Sequence, residues 1–337
     1  MRATVLLIGL TVMACEQVAV GPDATTGLDG ADVGPTFVPI SVVDTNPPPN
    51  YFGVWGSGPN DVYLVGERGL IVHYDGTSWT TESSTGADDL RSISGFAGDR
   101  TYDVWAVGLS GRIMHLSLDP TTTTPQPRVW VPERAGTRAD LSGVAAGRDR
   151  VVAVGVGGVV LERTEATGWA QVPSDTAERL NGVWIARNGE DAVAVGNLGA
   201  IIRRTGGTWA RERVTGLVTQ LNEVWGTAPD QLLIVGLDGT VLRSSGTEWE
   251  ALEGAPRVNL RDVAGISVGN AFIVGMSGTL AALSGREISL VADASVNRLE
   301  AVWGTMMQLD AGVADGGPTE KPLFYVVGVS GTVLVGP

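Results

Sequence analysis

The chain has 337 residues, 43% of them hydrophobic and 18% charged, which is ample material for a core. A net charge of −14 makes the surface repel nucleic acid phosphates, so a DNA- or RNA-binding role is set aside. Cys15 is the one cysteine; no intrachain disulfide can form, and the fold must stand on packing.

The first segment, "MRATVLLIGLTVMAC", has one early positive charge at Arg2, then an apolar run, then Ala14 before the thiol. The run is too short for a permanent membrane span, which needs ~20 residues. It resembles a bacterial lipoprotein signal with Val12-Met13-Ala14-Cys15 as lipobox, which implies cleavage before Cys15 and lipidation of its sulfur. Residues 1–14 are therefore expected to be a signal peptide and Cys15 the lipidation site. Residues 15–35 lack a hydrophobic period and read as a flexible tether. Asp23, Asp29 and Asp32 in that tether do not follow calcium-loop order. Glu16 after Cys15 is not the aspartate that retains some lipoproteins at the inner membrane, which favours the outer membrane of a Gram-negative envelope.

From residue 36 the chain repeats. Val-Gly-x-x-Gly recurs seven times, with first glycines Gly66, Gly108, Gly155, Gly196, Gly236, Gly275 and Gly328, spaced 42, 47, 41, 40, 39 and 53 residues apart. Each unit reads as four short β-rich runs, as in "FGVWG", "DVYLVG", "LIVHYDG" and "SWTTES" between residues 52 and 83. No stretch has a helical period. A period near forty with strand-like units predicts an all-β, seven-bladed propeller of four-stranded blades over 36–337. Val-Gly-x-x-Gly falls between second and third strands, where a type I turn with a G1 bulge is expected, the second glycine being left-handed. A phosphate-cradling role is rejected because no helix follows the motif.

The seventh unit ends at Pro337 without a fourth strand. Fourth-strand tryptophans precede the next unit's first-strand Val by 14 or 15 residues, and counting 14 back from Val54 lands on Ile40. Residues 36–44 are therefore expected to complete the seventh blade from the other chain end. The ten tryptophans recur by position: Trp55, Trp184, Trp225 and Trp303 on first strands, Trp79, Trp130, Trp169, Trp209 and Trp249 on fourth strands, and Trp105 on a second strand. That regularity predicts packing between blades.

"VWGSGPNDVYLVGERGLIVHYDGTSW" at 54–79 resembles the repeat of BNR-type propellers, and especially of the photosystem II assembly-factor-like propeller family. The resemblance covers nearly all of 36–337 and implies a seven-bladed scaffold that binds proteins. "YDGTSW" at 74–79 also resembles a sialidase Asp-box, a turn motif that carries no hydrolysis by itself.

Catalytic constellations are not legible. His73 and His115 are copies of one repeat position, shared with Glu162, Arg203, Arg243, Ala282 and Val335, and neither is assigned a catalytic or metal role. None of the five tyrosines marks itself as a nucleophile. No metal site or cofactor is expected. The residue after the first-strand Leu is Arg91, Ser142, Asn181, Asn222, Arg261 or Glu300, and these positions are expected to rim the central channel. Arg91, Asn181, Asn222, Arg261 and Glu300 are the candidate partner-binding residues. The sequence thus favours a monomeric, lipid-anchored, non-catalytic scaffold, assembly or surface-recognition module whose partner is an envelope protein or a glycan. The competing reading is a carbohydrate-binding or sialidase-like glycoside hydrolase propeller. The insertion 305–321 in the seventh unit is either a docking loop or a tolerated insertion.

Overall fold

The computed structural model describes residues 35–337 apart from 83–87, 123, 125, 246–247, 292–293 and 309–319. Residues 1–34, on which the expected signal peptide, the lipidation site Cys15 and most of the expected tether fall, lie outside the described residues. In the first blade, Tyr51–Gly58, Asp61–Gly66, Ile71–Tyr74 and Trp79–Glu82 form an antiparallel meander. The described residues form seven such four-stranded sheets, a seven-bladed propeller. The inner strands are Tyr51–Gly58, Leu90–Ala97, Leu141–Ala146, Leu180–Ile185, Leu221–Ala228, Leu260–Ser267 and Leu299–Gln308. Each packs on the inner strands of the flanking blades, and the last packs on the first, so the ring closes around a channel.

The core is seven seams rather than one centre. Tyr63, Val65 and Ile71 of blade 1, for instance, pack with Leu90, Val104 and Met114 of blade 2. Blades are covered on both faces, which is why second strands such as Val151–Gly155 are buried along their whole length instead of alternating.

The repeated turn differs from the expected type I turn with a G1 bulge. Leu70 N–H donates to Glu67 O at 3.0 Å, with Arg68 (φ 54°) and Gly69 (φ 71°) both left-handed between them. Two positive φ values make this a type I′ turn, whose twist matches that of the strands it joins. Ser110, Leu198, Asp238, Ser277 and Ser330 take the place of Arg68 in other blades. Three are held by a side chain from a neighbouring blade: Asp89 accepts from Arg68 N–H, Asp140 from Ser110 N–H and Asn50 from Ser330 N–H, each at 2.9 Å. The first glycine of the motif serves close approach. A Cβ on Gly108 would lie 1.9 Å from Asp89 O, the carbonyl to which Leu109 N–H donates at 3.0 Å.

Blade 7 is completed by the N-terminal side of the chain. Val38 and Pro39 pair with Val335 and Leu334, and Ile40 N–H donates to Val333 O at 2.9 Å. Phe37 meets Phe272 of blade 6 edge-on at 5.0 Å. The pairing is shorter than the 36–44 span expected from the spacing. Beyond Ile40 the chain leaves the sheet and lays Ile40, Val42 and Val43 against the seam of blades 7 and 1. Blade 7 also has the longest inner hairpin: Met306, Met307 and Gln308 pair with Pro322, Lys321 and Glu320, and the rest of the insertion lies outside the described residues.

Candidate functional site: the channel mouth

A cavity of about 700 Å³ occupies the channel, and Arg91, Ser142, Asn181, Asn222, Arg261 and Glu300 all line it. The structure therefore brings every residue named from the sequence into one ring. A propeller's inner strands have no further strand on their channel side, so part of their backbone polarity must be met by side chains. The ring does this. Asn181 Nδ2 donates to Leu221 O at 2.7 Å, and Asn222 Nδ2 donates to Asn259 Oδ1 at 2.5 Å and to Leu260 O. Arg179 donates to Ser142 Oγ at 2.8 Å, and Arg261 Nε to Glu300 Oε2 at 2.9 Å. Arg91 pairs with Asp89 at 2.8 Å and lies over the Phe52 ring at 4.2 Å. Arg91 and Arg261 nonetheless keep 36% and 37% of their side chains exposed, so both guanidiniums still face the channel.

Two acids that sequence reading passed over sit next along the wall. Glu223 and Asp262 follow Asn222 and Arg261, line the same cavity and are half-buried. Glu223 accepts from its own Val224 N–H at 3.0 Å; Asp262 accepts from Val263 N–H at 2.7 Å and from Val302 N–H of blade 7 at 2.8 Å. Desolvation raises both, with Asp262's charge adding to Glu223's shift; Asp262 is pushed up to about 7 and Glu223 well above the carboxylate range. At this position the other blades carry Gly53, Ser92, Gly143, Gly182 and Ala301. The signal was therefore in the sequence, as two acids where five small residues repeat.

The histidines lie in the blade seams, away from the channel. His115 Nε2 meets Asp103 at 2.8 Å, and its Nδ1 meets Glu133 at 3.0 Å. His73 is held in the same way by Asp61 at 2.8 Å. In blade 3 the charges are exchanged: Arg150 stands where Asp103 was and pairs with Glu162, the counterpart of His115. Swapped charges with the pairing kept identify an ion pair that recurs at this repeat position. Burial opposes the charged form of His115, but its bonds to Asp103 and Glu133 outweigh this and raise its pKa. Burial likewise lifts Glu133, yet His115, Trp169 and Arg163 hold it down to about 2.

Three of the tyrosines are held in the neutral form by burial. Burial raises Tyr102, whose hydroxyl donates to Asp61, and lifts Tyr51 and Tyr325 to about 12, so phenolate is disfavoured at each. The Asp-box resemblance is a turn device, with Asp75 Oδ1 accepting from Thr77 N–H at 2.9 Å and Ser78 N–H at 2.8 Å.

No protein-family model matches the sequence, and no curated protein is significantly similar to it. Solved structures do share the fold. "YCF48 bound to D1 peptide" is 15% identical with a TM-score of 0.65, covering 93% of this chain and 99% of that one. YCF48 from Cyanidioschyzon merolae is 16% identical with a TM-score of 0.60, covering 89% and 98%. A catalytically inactive variant of virginiamycin B lyase from Staphylococcus aureus with quinupristin is 10% identical with a TM-score of 0.71, covering 90% and 99%. At such identities the likeness establishes the architecture and nothing finer.

Proposed function

We propose that this chain is a non-catalytic protein-binding scaffold, tethered through lipid on Cys15 to the outer membrane of a Gram-negative envelope, which receives a partner segment at the channel mouth. The carrying observation is the cavity itself: about 700 Å³, open, and ringed by polar groups on a frame fixed by seven packed seams. Rigid frames that present such a concave, mixed surface are where recognition is usually found. A peptide-bound propeller among the structural neighbours supports this use of the fold. A photo-crosslinking residue at position 91 of the anchored protein should capture one dominant protein, and Ser142→Trp, which puts an indole into the cavity wall, should reduce capture. Turnover of chromogenic glycosides or tight binding on a glycan array, with no protein captured, would instead favour the carbohydrate reading. Labelled palmitate should enter the wild type and not Cys15→Ser.

A further inference from the structure

The rim of the cavity is uneven. On blade 4, Leu198 is 58% exposed, and in the loop leading to blade 5 Val218 is 75% exposed. Gly199 N–H donates to Thr219 O at 2.7 Å, which sets these two residues side by side. The turn does not require leucine: the equivalent residues are Arg68, Ser110, Asp238, Ser277 and Ser330, all polar, and Gly157. An apolar side chain exposed where its counterparts are polar or absent points to contact with something else. Asn197 and Gln220, beside this patch in the chain, line the cavity, so the patch runs into the channel.

The cavity wall on blades 5 and 6 carries the opposite specialisation. Ser92 shows what the fold needs there: its hydroxyl accepts from Val144 N–H of the next blade at 3.2 Å. Asp262 meets the equivalent N–H of Val302 with a carboxyl group, and Glu223 accepts from Val224 and Val183 N–H, a costlier solution than a hydroxyl. Among the described residues neither has an ion-pair partner. Arg261, whose charge favours the ionised form of both, makes its hydrogen-bonded ion pair with Glu300 at 2.9 Å instead. Glu223 and Asp262 thus share with Glu300 the charge of Arg261, and acids outnumbering cations on this wall are complementary to a further positive charge brought from outside.

We infer that the mouth at blades 4–6 docks a protein segment that inserts a Lys or Arg side chain toward Glu223 and Asp262 and rests a neighbouring apolar side chain on Leu198 and Val218. This rests on the reading of the mouth as a protein-binding site and names the partner's chemistry. The basic group adds to the countercharge that Arg261 supplies, and the apolar group covers the exposed patch at the rim.

The test is panning of a random twelve-residue peptide library against the full chain, followed by calorimetry with one enriched peptide. Two variants accompany it. Leu198→Ser installs the residue that blades 2, 6 and 7 use, and Glu223→Gln with Asp262→Ser keeps acceptors for the amides. Urea melts verify that both fold. Enriched peptides should share Lys or Arg beside an apolar residue. Affinity should fall at least about tenfold with either variant, and similarly when citrulline or norleucine replaces the basic residue. Enriched peptides without a basic residue, or affinities that ignore both variants, overturn the inference and leave the scaffold reading standing. No enrichment at all overturns both.

Discussion

The indole N–H of Trp209 donates to Glu162 Oε1 at 2.7 Å, across the seam between blades 4 and 3. The arrangement repeats around the ring. Trp130 donates to Glu82 at 2.5 Å, Trp169 to Glu133 at 2.6 Å and Trp249 to Glu212 at 3.1 Å, each glutamate belonging to the preceding blade. A fourth-strand tryptophan is thus a latch as well as packing. Glu162 is 8% exposed and also holds Arg204 at 2.9 Å, so losing the indole leaves a buried carboxylate short of a donor. Trp209→Phe, which keeps an aromatic ring, is expected to cost about 1–3 kcal/mol in urea unfolding. Trp79→Phe should cost less, because Trp79 is held by ring contacts with Tyr74 at 5.0 Å and Tyr325 at 6.2 Å.

The glycine of the repeated turn makes a sharper case. Gly108 has extended backbone (φ −169°), so alanine fits its conformation; the obstacle is the carbonyl of Asp89, 1.9 Å from where the Cβ would stand. Gly108→Ala should destabilise by about 1–3 kcal/mol through steric displacement. Gly58→Ala, with nothing within 4 Å of its Cβ, should be close to neutral. Equal melting temperatures for the two variants would refute the close-approach account.

What was legible follows from what is local. The blade count and closure came from turn glycines and spacing, because six blades are each one contiguous stretch of about forty residues and the seventh lacks its fourth strand at a fixed offset. The ring of Arg91, Asn181, Asn222, Arg261 and Glu300 was legible for the same reason: a fixed offset from a repeated leucine becomes a fixed height in the channel. The latches were half visible. Trp-x-x-Glu recurs at Trp79/Glu82, Trp130/Glu133 and Trp209/Glu212, but blade 3 carries Val172 at that offset and uses Glu162 from its third strand instead. Glu223 and Asp262 were harder to see, because their meaning depends on a neighbour some forty residues away and on a lumen that no single repeat encloses. The turn type was not legible because Arg68 is an unusual occupant of left-handed backbone, and Asp89 at the neighbouring blade supplies the bond to its N–H.

Closure by the N-terminal side predicts a fragile edge. Phe37 is 9% exposed, and Val38 and Pro39 cover the strand that contains Val335 and Leu334. Deleting residues 36–44 uncovers that edge and removes the Phe37–Phe272 contact. The melting temperature should fall by roughly 5–10 °C, and size-exclusion chromatography should show association through the exposed strand. A truncated chain as stable and monomeric as the parent would refute the closure.

The His115–Glu133 pair predicts a bounded pH window. His115 is raised above its ordinary 6.5, so its stabilisation is complete below that value and is lost as pH rises through the folded pKa. Glu133 is lowered from 4.5 to about 2, so its stabilisation is present above 4.5 and lost as pH falls toward 2. The difference in urea midpoint between wild type and His115→Gln should therefore be largest between about pH 4.5 and 6.5 and shrink on both sides.

The channel acid predicts the reverse slope at high pH. Asp262 is raised from 3.8 to about 7, so the folded state favours its neutral form: stability is full below about pH 4 and declines as pH rises through 7. Asp262→Ser replaces it with blade 2's hydroxyl solution. The variant should match or fall slightly below wild type at pH 4, where the lost acceptor is all that differs, and exceed it by about 1–2 kcal/mol at pH 8. Glu223, raised by the same burial and by Asp262's charge, should drop toward the ordinary carboxylate range in that variant, which carboxylate carbon shifts in a pH-titrated NMR series would report. If Asp262→Ser were instead destabilised equally at pH 4 and pH 8, the carboxylate would be serving the fold, and its surplus charge would no longer argue for a cationic partner.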